Sequence, residues 1–458
     1  MSKLGSTDNP LLVAIVGSGP SGFYATEELI KSDLAVKIDM YERLPCPYGL
    51  VRSGVAPDHP KLKQAILLYD KIAHSPEFNL VANVTVGSDL TVNELCNAYH
   101  AIIFTCGAET DRKLGIPGED LPGSHTATEF VGWYNGHPDY RERTFDLSHE
   151  IAVIIGQGNV AADVSRILSK TVDELKYTDI AQHALDVLAE SKIKEIYVIG
   201  RRGPAQAKFT PKELREFGEL TDCDVLVDPA ELELNPTSKQ ELEEKSNIGN
   251  KKIYDQFAEY ASRKPSGKSR RCYFQFLRSP LELIGNTQLE KIILEKNQLS
   301  GEAFKQSAKG TGETYEMKAG ILFRSIGYRG VPIPGVPFHE SWGVFPNEDG
   351  RITDNAEIVP QLYAAGWIKR GPSGIIGTNR ADSVATVASL LSDINKINTG
   401  ETRQGINVIY PLLEERNIRY VNYDEWKKID AKEIERGQPK QKPREKFTYL
   451  NEMLAVLD

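Results

Sequence analysis

Short runs of aliphatic and β-branched residues recur along the chain. Each is followed by glycine and then by a segment whose apolar positions return every three or four residues. The runs LLVAIVG, VKIDMYE, AIIFTCG, IAVIIG, EIYVIG and GILFRSIG are almost continuously apolar rather than alternating. Such runs predict strands covered on both faces, as in a parallel sheet with helices on either side. Their alternation with helical segments predicts an α/β protein of doubly wound layers. Between 234 and 270 the chain turns to Asn, Ser, Lys and Glu, which predicts a helix flanked by exposed polar loops. From about 399 onward it is densely charged and reads as a solvated tail or a helix pair. Prolines at 47, 57 and 60 leave no regular helix expected in 46–63 until past Pro60.

Two of the strands open into glycine-rich turns. In the first, VAIVG runs into Gly17, Gly19 and Gly22 and then into a helical segment, with Glu42 ending the next strand twenty residues later. The glycines permit a tight turn, close approach of backbone to a pyrophosphate, and close packing of the helix. The acid stands where a ribose hydroxyl would be gripped. The second, IAVIIGQGNVAADVSRI, keeps Gly156 and Gly158 and has Ala161 at the helix-packing position, where a methyl group is commonly tolerated. Its following strand ends in Arg201-Arg202-Gly203 rather than in an acid. A carboxylate there would repel a 2′-phosphate, whereas two guanidiniums would clamp one, so this site is expected to take NADPH.

Two dinucleotide sites in one chain suggest FAD in the first, reduced by NADPH from the second. A late segment, QLYAAGWIKRGPSGIIGTNRADSVATVASLL (361–391), reads as a strand ending at Gly366, a Gly/Pro turn, and a helix from near Thr378. Its helix N-terminus would stabilise negative charge on a reduced flavin. If it returns to the flavin, the NADPH-binding domain is inserted within the FAD-binding one. Composition narrows the remaining possibilities. A net charge of −9 argues against general nucleic-acid binding, and no apolar run approaches the roughly 20 residues that span a bilayer. The start, MSKLGSTDNP, has no apolar signal core, so cytoplasm is the expected compartment. The cysteines Cys46, Cys96, Cys106, Cys223 and Cys272 form no Cys-x-x-Cys pair, which disfavours a redox disulfide or a zinc site; no metal is expected.

The segments GSGPSGFYA, GLVRSGVAPDHPKLK, GQGNVAADVSRIL, GRRGP, FTPKELREF, RSIGYRG and GWIKRGPSGIIGTN occur in this order. On them the chain resembles the adrenodoxin-reductase family of ferredoxin–NADP⁺ reductases, and most of all its soluble bacterial members. The resemblance implies two Rossmann-like domains: FAD binding by 1–110 and 331–398, NADP binding by the inserted 111–330, and a charged extension at 399–458. It places flavin contacts at Ser21, Glu42, Leu50, Val84, Trp367 and Gly374 through Ile375 to Ile376, beside the fingerprint glycines. NADP contacts fall on Gly156, Gln157, Gly158 and Asn159, on Arg201 and Arg202, on Glu213 and on Gly374. His59, Asp163 and Glu216 take positions beside the reacting rings, where orienting the nicotinamide is a better-suited role than obligatory acid catalysis. The implied activity passes electrons from NADPH through FAD to a ferredoxin, an acidic iron–sulfur protein. Alternatives are a flavin monooxygenase, a disulfide reductase and a non-enzymatic nucleotide-binding scaffold. An acidic partner needs a local positive field, and RKPSGKSRR (263–271) is the densest basic stretch, with no acid in it.

Overall fold

The computed structural model describes residues 3–374, 376–397 and 403–458. The chain divides into two compact units, Met1–Thr110 with Tyr328–Asp458, and Asp111–Gly327.

In the first unit five strands run parallel in the spatial order Glu357–Ala364, Ala101–Phe104, Leu11–Val16, Val36–Glu42, Phe78–Ala82. Arg351–Asp354 and Asn347–Glu348 extend the edge antiparallel. Leu11, Val13, Ala14 and Ile15 are all fully buried, as the continuous apolar run requires when helices cover both faces. Helix Pro20–Ile30 packs one face and meets helix Ile376–Ser392 through Ser383 Oγ, which donates to the Ser21 carbonyl at 2.9 Å, and through Arg380, 2.7 Å from Glu27.

Three expectations change in this unit. Residues 46–63 hold a single helical turn, Leu50–Ser53, before Pro60, because one turn fits between Pro47 and Pro57 without needing the N–H of either. The late helix begins at Ile376, two residues ahead of Thr378. The charged C-terminal stretch is no solvated tail. Helices Ile406–Glu415, Tyr423–Gly437 and Leu450–Leu454 fold onto the unit, with Trp426, Ile429 and Met453 in its core. Glu433, wholly buried, takes both arms of Arg52 at 2.6 and 2.8 Å and the Phe447 N–H at 2.9 Å. Burial alone would raise the Glu433 carboxyl; the guanidinium beside it leaves it below the usual carboxylate range. Removing one partner of such a pair costs roughly 3–5 kcal/mol.

The second unit has a six-stranded, wholly parallel sheet. Its order is Ser124–Thr126, Ile321–Arg324, Ile151–Ile155, Glu195–Ile199, Arg270–Gln275, Cys223–Val227. A three-stranded antiparallel sheet, Arg278–Ile284, Lys291–Ser300 and Ser307–Lys318, follows it. The polar stretch 234–270 contains two helices, Pro236–Glu243 and Ile248–Ser262; the second places Ile253, Phe257 and Tyr260 in the core. The parallel strand Arg270–Gln275 ends before the chain turns and resumes at Arg278 in the antiparallel sheet.

Candidate dinucleotide sites

The two glycine turns have the same construction. Gly17 N donates to the Tyr41 carbonyl at 2.8 Å and Gly156 N to the Ile199 carbonyl at 2.9 Å, so each turn leaves its first strand against the end of its second. Gly17 has φ +108° and Gly156 +134°. A Cβ on Gly17 would lie 2.8 Å from the Cys106 backbone, and one on Gly156 would overlap the Ser325 carbonyl. Only glycine meets both demands. At the middle position, a Cβ on Gly19 or Gly158 would meet nothing within 4 Å. These are the open positions above the N-termini of helices Pro20–Ile30 and Asn159–Ser169. Neither helix has a side-chain cap or an acid in its first turn, so its leading N–H groups and dipole remain available to an anion.

The third positions differ. A Cβ on Gly22 would overlap the Gly17 carbonyl oxygen, whereas Ala161 carries its methyl fully buried. The strand ends differ as well. Glu42 accepts from Ser18 N at 3.2 Å, Ser18 Oγ at 2.6 Å and Leu44 N at 3.1 Å. The register that pairs Val16 with Tyr41 and Ile155 with Ile199 puts Gly200 in the place of Glu42. A Cβ on Gly200 would overlap the Gln157 amide, which donates to the Gln275 carbonyl at 2.9 Å. The acid has thus given way to a bare backbone, Gln157 fills the space, and the two arginines follow. Among the described residues neither the Arg201 nor the Arg202 guanidinium has a hydrogen-bond or ion-pair partner. Partial burial, with Arg201 beside it, lowers the Arg202 guanidinium from its ordinary value.

In the first unit Ser21 is buried on helix Pro20–Ile30, and Val84, also buried, donates its N–H to the Glu42 carbonyl at 2.9 Å. Leu50 is 37% exposed, at the start of its helical turn. That turn follows Tyr48, whose N–H donates to the Ser18 carbonyl at 3.0 Å and whose hydroxyl lies 2.8 Å from that of Tyr423. Trp367 packs against Tyr328 with ring centroids 5.4 Å apart, and its buried indole N–H has no partner among the described residues. Gly374 is exposed at φ +85°, and Ile376 starts the late helix. Ile375 lies outside the described residues. His59 is buried at the head of the short helix Pro60–Lys63.

In the second unit Asp163, Glu213 and Glu216 are brought together by a residue that sequence reasoning had passed over. Arg166, 1% exposed, reaches Asp163 at 2.7 Å, Glu213 at 3.3 Å and Glu216 at 3.8 Å. It stands seven residues beyond Asn159 within the motif GQGNVAADVSRIL, but nothing in its spacing distinguishes it from a solvated helix residue. Asn159 Oδ1 accepts from Thr210 N at 2.8 Å and the Gln157 carbonyl from Lys208 N at 2.7 Å. The turn, its helix and the segment carrying Glu213 therefore form one framework. The basic stretch 263–271 is less free than its composition implies. Arg263 pairs with Glu259, Lys268 donates to the Leu220 carbonyl, and Arg270 donates to the Lys170 carbonyl. Asp222 and Asp224, distant in sequence, accept from Ser266, Gly267, Lys268 and Ser269. Among the described residues Lys264 has no ion-pair partner, and Arg271, half exposed, lies 4.0 Å from Glu195. All five cysteines are free, and burial pushes every thiol up, Cys106 to about 12 and Cys223 to about 11. Such thiols are poor nucleophiles. No helix among the described residues is long and apolar enough to cross a membrane.

No protein-family model matches the chain. It is similar to the NADPH-ferredoxin reductase FprA of Mycobacterium tuberculosis, 44% identical over 458 residues, 98% of this chain and 99% of that protein. It is also similar to the mitochondrial NADPH:adrenodoxin oxidoreductases of Arabidopsis thaliana, 41% identical over 98% of this chain and 96% of that one, and of Homo sapiens, 41% identical over 97% and 91%. A solved structure of the Mycobacterium tuberculosis FprA in complex with NADPH matches with a TM-score of 0.91 at 43% identity, covering 98% of this chain and 99% of that one. At such identity over nearly the whole length of both chains, the protein belongs to the adrenodoxin-reductase-type family of ferredoxin–NADP⁺ reductases.

Proposed function

We propose that the chain carries electrons from NADPH through FAD to a ferredoxin-type acceptor, with FAD at the first fingerprint and NADPH at the second. The unit Asp111–Gly327 is then the NADP-binding domain inserted in the FAD-binding one. The observation that carries this reading is the difference between the strand ends. Glu42 offers a carboxylate to a ribose hydroxyl. Arg201 and Arg202, adjacent and in no ion pair among the described residues, suit a 2′-phosphate. The residues present fit both groups: the empty space over Gly19 and Gly158 admits a pyrophosphate, and the unpartnered Trp367 indole N–H fits an acceptor on FAD. FAD, when bound, supplies the conversion of a two-electron donor to one-electron transfer.

The chain's own residues bind and orient. Gly19 and Gly158 let backbone N–H groups approach phosphate, while Ser21, Leu50, Val84, Gly374 and Ile376 line the flavin side. Ile375 is assigned with them on family position alone. Arg166 gathers Asp163, Glu213 and Glu216 and holds them against mutual repulsion. Asp163 and Glu216, like His59, position reactants rather than supply a required proton. The partner is an acidic iron–sulfur protein, and within the basic stretch Lys264, Lys268 and Arg270 are the cations in no ion pair among the described residues.

The test is cytochrome c reduction with NADPH, with and without an acidic ferredoxin. The rate is expected to depend on ferredoxin and to fall steeply between about 50 and 500 mM salt, where screening shortens to a few ångströms. A rate indifferent to ferredoxin would refute the acceptor assignment.

A further inference from the structure

The backbone that carries Arg201 and Arg202 is held by an unusual bracket from outside the parallel sheet. Beyond Ile199 the parallel sheet supplies one more bond, Gly200 N to the Gln275 carbonyl at 2.9 Å, and the Gly200 carbonyl accepts from Arg278 N of the antiparallel sheet at 3.0 Å. The next two carbonyls would be orphans at a strand end. Instead the Arg202 carbonyl accepts from Leu277 N at 3.1 Å, and the Arg201 carbonyl accepts from Asn297 Nδ2 at 2.9 Å. Both donors are specialised. Leu277 has φ +54°, a left-handed conformation that a branched side chain adopts only when its surroundings impose it. Asn297 is buried, directly after the irregularity between Glu295 and Asn297 in the pairing of Lys291–Ser300 with Ser307–Lys318. A bulge of this kind re-aims a side chain that regular pleating would direct elsewhere. The same Nδ2 donates to Ser279 Oγ at 2.8 Å, and Asn297 N donates to the Leu277 carbonyl at 2.7 Å. The amide is thereby fixed, and the two brackets are bonded to each other.

We propose that Asn297 is a positioning residue for coenzyme discrimination: through the Arg201 carbonyl it fixes the turn from which the two guanidiniums reach a 2′-phosphate. This rests on the assignment of Arg201 and Arg202 to that phosphate. An arginine side chain loses much rotamer freedom on binding, so a turn that also moved would add its own ordering cost. NADH has no 2′-phosphate, and its binding is indifferent to the aim of these arginines. A residue serving only the fold would alter both coenzymes alike.

The test is a comparison of kcat/KM for NADPH and for NADH, with ferricyanide as acceptor, in the parent, Asn297→Ala, Arg201→Ala, and the double variant, with thermal melts alongside. Losing the part-buried hydrogen bond to the Arg201 carbonyl is expected to reduce the NADPH-to-NADH preference about fivefold in Asn297→Ala. In the Arg201→Ala background the same change should have a smaller effect than in the parent, because only the Arg202 guanidinium is left to position. Ser279→Ala, a milder change that frees the amide to turn, should give a smaller loss in the same direction and covers the case in which Asn297→Ala does not fold. An unchanged preference in whichever of Asn297→Ala and Ser279→Ala folds, or equal losses with both coenzymes, overturns the proposal. So do additive effects in the double variant. If Arg201→Ala itself leaves the preference intact, the phosphate assignment fails instead, and the two failures are told apart.

Discussion

The two glycine turns differ at two positions, and the differences are of different kinds. At the third position the contrast is steric. Gly22 lies against the Gly17 carbonyl with no room for a methyl, whereas the second turn accommodates Ala161. At the strand end the contrast is chemical: the position of Glu42 in the first turn is taken by Gly200 in the second, and the cations arrive one and two residues later. The steric difference concerns how each helix leans on its strand and carries no information about the ligand. The chemical difference carries nearly all of it. A broken consensus glycine is therefore a weaker guide to a site than the charge at the neighbouring strand end.

The largest expected effect breaks the chemical contrast. Replacing Arg201 and Arg202 together by alanine removes charge-assisted bonds worth about 1.5–3 kcal/mol each. The NADPH KM should rise about a hundredfold or more while the NADH KM stays within a factor of about two, read by steady-state kinetics. Glu42→Ala is the matching change in the first turn. It should weaken FAD retention about tenfold, measured by flavin released on dialysis, and leave the NADPH-to-NADH preference unaltered. Exchanging the third positions sharpens the steric contrast. Gly22→Ala overpacks the turn and should cost roughly 1–3 kcal/mol in chemical denaturation. Ala161→Gly should cost only about 1 kcal/mol, the helix-propensity difference, with coenzyme preference unchanged.

Much of this was legible in the chain. The continuous apolar runs located the six strands that were named, because burial on both faces leaves no alternation to misread. Glu42 and the arginine pair were legible because a fingerprint fixes their distance from the turn. Arg166 was not, since a buried arginine is distinguished only by the three carboxylates that folding gathers around it. Asn297 was hidden for a related reason: it acts from a different sheet, nearly a hundred residues away. Of the two readings of the C-terminal stretch, helices hold and a solvated tail does not, because charge density reads as solvent exposure while Glu433, Lys442 and Lys446 are buried with partners contributed by folding. That the basic stretch 263–271 is tied down was hidden in the same way, since Asp222 and Asp224 reach it only in three dimensions.

The smallest expected effect concerns pH. His100 is buried immediately before the strand Ala101–Phe104, where its Nδ1 accepts from Leu12 N at 3.0 Å. Burial, with Arg403 nearby, lowers its pKa to about 4 from an ordinary 6.5. The unfolded chain therefore binds the proton more readily than the folded one. The stability this contributes is complete above pH 6.5 and is lost as the pH falls toward 4. His100→Asn, which keeps an acceptor and cannot be protonated, should shift the acid-unfolding midpoint to lower pH. An unmoved midpoint would show that the histidine is not what limits the first unit in acid.

The division of labour between the turns is tested most directly by anaerobic titration of the purified protein with each coenzyme, following the visible flavin band. The prediction is a yellow protein bleached stoichiometrically by NADPH, with NADH achieving the same only at far higher concentration. A protein that holds no flavin even when FAD is supplied, or one bleached equally well by both coenzymes, would contradict it.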